Sequence, residues 1–160
     1  MQVLVMYYSR TGNTAKLAEA IAQGVSEVED VRPVVKEAGE ITEEDFLDSQ
    51  GIIAGSPVYY GSMAAELKQV FDQFVHLRDR MEDKVGAAFA TSGDEAGGRE
   101  TTMLSILQAM LINGMIIVGD PLDATGHYGV SCPGVPDARI LSNGRKLGRR
   151  VASLAKRLSS

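Results

Sequence analysis

Ser9-Arg10-Thr11-Gly12-Asn13-Thr14 packs three hydroxyls, a guanidinium, a carboxamide and a glycine into six residues. The stretch lies between an apolar run, Val3 to Tyr8, and a segment of helical periodicity, Asn13 to Ser26. A strand running into a helix there creates an anion site. The first helical turn offers unpaired N–H groups, and the helix dipole adds partial positive charge. Ser9, Thr11 and Thr14 supply hydroxyl donors, Gly12 lets the backbone curl without a Cβ, and Asn13 tolerates turn geometry. The pattern GxxxxGK[ST] is absent, and one glycine does not make GxGxxG. The expected occupant is therefore a phosphomonoester rather than a triphosphate or dinucleotide. Ordinary helix capping is the plainer use of Ser and Thr; so many donors directly after the first strand favour the phosphate.

Two later stretches have the composition of ligand loops. Pro57-Val58-Tyr59-Tyr60-Gly61 follows a short apolar run, Gly51 to Gly55. Pro57 stiffens the exit, Gly61 permits close backbone approach, and adjacent tyrosines at a strand end suit covering something flat. Packing in an interface or core is the other use of such a pair. Thr91-Ser92-Gly93-Asp94-Glu95-Ala96-Gly97-Gly98 carries three glycines and small polar groups, suited to approaching a ligand with backbone amides. A flexible surface loop is its plainer reading.

Other reactive side chains are given lesser roles. His127 reads as a surface-loop histidine, with a pocket edge as the alternative. His76 reads as a favourable charge at a helix C-terminus. Cys132 reads as a buried small hydrophobe, and Met103 and Met110 as core. Glu43, Glu44 and Asp45 read as a solvated helix start.

The elements that must position these loops alternate strand and helix. Val3 to Tyr8, Val31 to Lys36, Gly51 to Gly55, Lys84 to Thr91 and Met115 to Val118 read as strands, with a continuation at Tyr128 to Cys132. The second is more polar, as an edge strand would be. Asn13 to Ser26, Ala64 to Leu77 and Arg99 to Asn113 carry apolar stripes at helical spacing, and Gly114 is placed to cap the third. Glu40 to Asp48 reads as a short helical connector, and Leu147 to Leu158 as the last helix. Such alternation predicts one doubly wound α/β domain over residues 1–160, with a parallel sheet and helices on both faces. Ligands of such sheets sit outside the carboxyl ends of the strands, where the three loops fall.

Composition narrows the function classes. Lys and Arg number 16 against 21 Asp and Glu, a net charge of −5. That balance argues against general nucleic-acid binding and suits docking to a basic redox partner. A single cysteine excludes an intrachain disulfide and fits a reducing cytoplasm. Neither a signal peptide nor an apolar run near the roughly 20 residues of a membrane span is evident. No Cys/His cluster points to zinc or iron–sulfur.

Ser-x-Thr-Gly-Asn-Thr after the first strand resembles the FMN-phosphate loop of flavodoxins. Nearly the whole chain is similar to the flavodoxin superfamily, most of all its WrbA-like NAD(P)H:quinone oxidoreductase branch. The resemblance implies a flavodoxin-like five-stranded parallel sheet of order 2-1-3-4-5 and FMN as cofactor. It implies phosphate contacts from Ser9 to Thr14 and a flavin-wrapping loop from Pro57 to Gly61, with Tyr60 at the ring and backbone groups from Val58 to Gly61 at its polar edge. Thr91, Ser92, Gly93, Asp94, Gly97 and Gly98 would line its other side. Asp94 and Glu95 depart from the branch, and two carboxylates beside a flavin would lower its potential. Ile112 and Asn113 stand where the branch carries a His pair, which removes an imidazole from the quinone pocket. The chain is also shorter before its third strand, so oligomeric state, monomer or homo-oligomer, is left open. Two functions follow. One is an FMN electron carrier between redox proteins; the other is an NAD(P)H:quinone oxidoreductase, so whether the chain is an enzyme stays open. A signalling module of this fold would need an acidic cluster after the first strand, where Ser9-Arg10-Thr11 stands instead.

Overall fold

The computed structural model describes residues 1–159. Its strands are β1 (Gln2–Tyr7), β2 (Arg32–Glu37), β3 (Ser49–Pro57), β4 (Val85–Ser92), β5 (Ile116–Ile117) and β6 (Gly129–Pro133). Its helices are α1 (Asn13–Ser26), α2 (Glu43–Asp48), α3 (Ala65–Gln73), α4 (Arg99–Ile112) and α5 (Ala138–Leu158). All strand pairs are parallel, in the order β2-β1-β3-β4-β5, with β6 also lying beside β4.

Strand periodicity divides the core in two. Leu4, Met6, Ile52 and Ala54 face α2, α3 and α4, packing with Phe46, Leu67, Phe71, Met103 and Met110. Val3, Val5, Ile53 and Phe89 face α1 and α5, packing with Leu17, Ile21, Leu147 and Val151. Successive strand residues point to opposite faces, so near-continuous apolar runs feed both layers. The order and double layering expected from the sequence are observed. β2 is the polar edge strand, and Gly114 (φ +72°) caps α4 through N–H bonds from Gly114 to Leu111 O and from Met115 to Met110 O.

Two differences from expectation shape the site's surroundings. The fifth strand position is shared. β5 pairs with Val85 and Gly86 at the start of β4, and β6 pairs with Ala88 to Ser92 further along. Between them the chain leaves the sheet, held by Asp120. That residue is 5% exposed and accepts the Gly126 N–H at 2.6 Å, while its carbonyl accepts from Arg150 at 2.7 Å. α5 begins at Ala138 rather than Leu147, capped by the Asp137 side chain on the Ile140 N–H at 2.8 Å. Gly144 and Gly148 serve close approach to α1. A Cβ on Gly148 would stand 2.0 Å from Ile21 O, and one on Gly24 of α1 would stand 1.9 Å from Arg145 O. The two helices touch backbone to backbone, which fixes where α1 presents its N-terminus.

His76 also differs: it lies in a 3-10 turn after α3, and its Nε2 is 2.9 Å from Glu43 Oε1.

Gly148→Ala tests the helix contact. Overpacking against backbone is expected to cost about 1–3 kcal/mol, a fall in Tm of roughly 2–4 °C per kcal/mol for a chain of this size. Gly39→Ala, with open space at its Cβ position, is the control and should stay within about 0.5 kcal/mol. Thermal melts of both variants read the difference.

Candidate functional site

The loops leaving β1, β3 and β4 converge at the carboxyl edge of the sheet around a cavity of about 490 Å³. Small-molecule sites run from about 300 to 1,000 Å³. Arg10, Thr11, Asn13, Thr14, Pro57, Val58, Tyr59, Thr91, Ser92 and Gly93 line it, together with Gly134. Gly134 was missed in the sequence, although Pro133-Gly134 after a strand is a turn signal at that same edge.

The last residues of β4 hold the site together. Thr91 Oγ1 and Thr14 Oγ1 lie 2.8 Å apart, both residues buried, tying the first loop to the third. The Val58 N–H donates to Thr91 O at 2.8 Å, and the Gly134 N–H to Ser92 O at 2.7 Å. Every loop that touches the cavity is bonded to Thr91 or Ser92.

The first loop leaves backbone donors facing the cavity. Gly12 (φ +93°) precedes α1 and brings no side-chain cap. Ser9 works from beneath: its Oγ accepts the N–H of Gly12 at 3.1 Å and of Ala15 at 3.3 Å. Ser9 thus shapes the turn rather than lining the cavity. The amides of Asn13 and Thr14, in the first helical turn, are given no partner by the helix itself, and Thr11 is exposed beside them.

The second loop is a tight turn. Tyr59 and Ser62 exchange both N–H···O bonds, each 3.1 Å, with Tyr60 (φ +51°) and Gly61 (φ +76°) between them. Positive φ at both central positions defines a type I′ turn, whose first position prefers Asn, Asp or Gly. Tyr60 is strained there, and its ring is 108% exposed. With Val58 and Tyr59 amides bonded within the chain, only Tyr60 and Gly61 of that loop keep amides for a ligand. Tyr59 lines the cavity and meets Tyr8 edge to face, ring centroids 6.3 Å apart. Burial and the neighbouring Glu66 carboxylate hold the Tyr8 phenol above its ordinary value, so it stays protonated at neutral pH.

The third loop lies against the second. A Cβ on Gly98 (φ +91°) would stand 3.2 Å from Gly61 Cα, and one on Gly97 2.8 Å from Ser92 Cβ. Asp94 and Glu95 turn their side chains to solvent. Asp94 contributes its carbonyl, which accepts from Ser92 Oγ at 2.7 Å. His127 (φ +64°) and Ile112 are exposed and line no part of the cavity. Asn113 donates to Ala109 O at the opposite end of the sheet, so positions 112 and 113 cannot decide chemistry here within one chain. Cys132 is 4% exposed, and burial raises its thiol.

A separate cavity of about 400 Å³ beyond Tyr8 carries Glu37, Glu40 and Glu66. Three carboxylates do not suit an anion, and the receptor geometry belongs to the first cavity alone.

Tyr60→Asn is expected to stabilise the ligand-free protein by up to about 1 kcal/mol, because Asn accepts a left-handed backbone and no burial is lost. A chemical denaturation midpoint that moves up checks it. Ser9→Ala should lower stability by about 1 kcal/mol through loss of two amide contacts.

Among the described residues no helix is long and apolar enough to cross a membrane, and no cluster of His, Cys, Asp and Glu suits a metal ion. Comparison with known proteins matches residues 1–128 to the family model described as NADPH-dependent FMN reductase. A protein of Archaeoglobus fulgidus named NAD(P)H dehydrogenase (quinone) is 36% identical, over 98% of each chain. A flavodoxin of Aquifex aeolicus is 35% identical over 94% of this chain and 85% of its own. The solved WrbA-like flavodoxin of Agrobacterium tumefaciens superposes with a TM-score of 0.83, covering 98% of both chains at 23% identity, a likeness of fold. With four-fifths of its length matched and its fold shared, the chain belongs to the NADPH-dependent FMN reductase family of the flavodoxin-like superfamily.

Proposed function

We propose that the chain, acting as one domain, binds FMN in the cavity at the carboxyl edge of the sheet and passes electrons between redox partners. The observation that carries this is the convergence of three strand-end loops on the uncapped first turn of α1. Bound FMN supplies the electron-transfer chemistry, accepting and releasing one or two electrons.

The residues fit such a group. The Asn13 and Thr14 amides and the Thr11 hydroxyl offer donors for a phosphate dianion, with the α1 dipole behind them. Arg10 adds a charge at the rim. Pro57, Val58 and Tyr59 form an apolar wall for a planar ring, and Tyr60 is free to close over it from its exposed turn. Thr91, Ser92 and Gly93 form the facing wall; a Cβ on Gly93 would meet nothing within 4 Å, so its backbone is open to a ligand. Gly61, Gly97 and Gly98 let the two walls approach. The exposed Asp94 carboxylate acts only through solvent.

A second reading is favoured by the family match and the Archaeoglobus relative: NAD(P)H as direct donor and a quinone as acceptor, which would make the chain an enzyme. Anaerobic mixing of the FMN-loaded protein with NADPH and benzoquinone separates the two. The carrier reading expects NADPH oxidation no faster than with free FMN; a rate well above that moves the assignment to the reductase.

Thr11→Glu tests the site itself. A carboxylate facing a phosphate about 4 Å away costs about 1–4 kcal/mol per charge pair. FMN affinity should therefore fall at least roughly tenfold, read by quenching of flavin fluorescence. Unchanged affinity would place the phosphate elsewhere.

A further inference from the structure

Arg99 is the first residue of α4, directly behind the third loop. A cation in the first turn of a helix is unfavourable, because the macrodipole already puts partial positive charge there. Yet the side chain does not swing into solvent. It is half-buried, and its Nη1 donates to Ser92 Oγ at 3.0 Å and to Asp94 O at 3.2 Å. Its Nε is buried with no hydrogen-bond partner. None of the ion pairs among the described residues includes it. Ser92 lines the cavity and its hydroxyl holds the guanidinium, so one residue separates this charge, which forms no ion pair, from the cavity's occupant. The charge is felt nearby: burial raises the Cys132 thiol, Arg99 pulls it the other way, and Asp137 adds a smaller push upward.

We propose that Arg99 tunes the redox potential of the site: its fixed positive charge, held on Ser92 of the cavity wall, favours the reduced, anionic state of a bound flavin. The proposal rests on the FMN reading above. On full reduction the ring takes up two electrons and one proton and so gains one negative charge. A cation behind the wall stabilises that charge and raises the midpoint potential. Opposing carboxylates are weaker competitors, since the Asp94, Glu95, Glu100 and Asp137 side chains are exposed and screened by water and salt. Arg10 has the same sign but is exposed at the rim, where its field is likewise screened. Arg99 touches no ligand in this account; it acts through its charge behind Ser92.

The test compares wild type, Arg99→Gln and Arg99→Lys as FMN-loaded proteins. Each is titrated anaerobically with dithionite, which supplies the electrons as it is oxidised to sulfite, against a reference dye. Affinity for oxidised FMN is measured separately by fluorescence quenching. The expected result is a lower potential in Arg99→Gln. Oxidised FMN should bind within about threefold of wild type, while affinity for reduced FMN drops roughly tenfold or more. Arg99→Lys, which keeps the charge and loses the two-acceptor contact, should stay near the wild-type potential. Arg99→Met serves in place of Gln if that variant does not fold. The proposal is overturned if the neutral variants keep the wild-type potential. It is equally overturned if Lys falls as far as Gln, since the side chain then only braces the loop, or if both oxidation states lose affinity equally. Wild-type protein that binds no FMN would sink the site reading itself; wild type that binds and titrates normally leaves that reading intact whatever Arg99 does.

Discussion

The hydrogen bond between the Thr14 and Thr91 hydroxyls, 2.8 Å long, joins the first turn of α1 to the end of β4. Both residues are buried, so neither hydroxyl can turn to water if the other is lost, and an unpaired buried polar group costs about 1–3 kcal/mol. The same two β4 residues, Thr91 and Ser92, accept the Val58 and Gly134 amides. Four segments far apart in sequence therefore share one anchor at the most buried strand of the sheet. The loops can be short, glycine-rich and polar and still hold a shape, because their positions are set by β4 rather than by their own packing.

The orientation of α1 has a second origin at the other end of the helix. Gly24 on α1 and Gly148 on α5 let main-chain atoms of the two helices meet, and Gly144 leaves room for the Leu17 and Ile21 side chains, so the contact is close along its length. A helix located that tightly holds its N-terminal amides in place before any ligand arrives, and preorganised donors lose little on binding. The second loop behaves oppositely. Tyr60 holds a left-handed backbone in a type I′ turn and has no burial to offset it. Rigid receptor on one side and strained, exposed cover on the other is the division expected where a ligand must enter before it is enclosed.

Much of this was legible in the sequence. The apolar runs at Val3 to Tyr8 and Lys84 to Thr91 gave the central strands because strands covered on both faces carry no polar alternation. Ser9 to Thr14 marked the turn from β1 into α1, and most of that stretch lines the cavity. What was hidden is what depends on non-local pairing. The role of Gly144 and Gly148 appears only once α1 lies against them. The break in the fifth strand position is invisible until β4 supplies two separate partners. Ser9 reads as one more donor in the loop, and the fold adds that its oxygen accepts the Gly12 and Ala15 amides and so shapes the turn. The amides of Val58 and Tyr59 are likewise consumed by Thr91 and Ser62. Counting donors in a loop overstates what remains for a ligand; the fold decides how many are already used.

The departure at Ile112 and Asn113 carries a related lesson. Read along the chain, two lost imidazoles argue against quinone chemistry. In the fold these positions lie where α4 ends, one exposed and the other bonded to its own helix, at the end of the sheet away from the cavity. Their identity cannot alter chemistry at the site of the same chain; it can matter only if a second chain brings its α4 end over the first. On the proposed reading, carrier and reductase share the phosphate contacts and the walls for the ring, which any flavin of this kind needs. They differ in what can reach the ring past Tyr60, and that turns on the rim of the cavity and on whether another copy covers it.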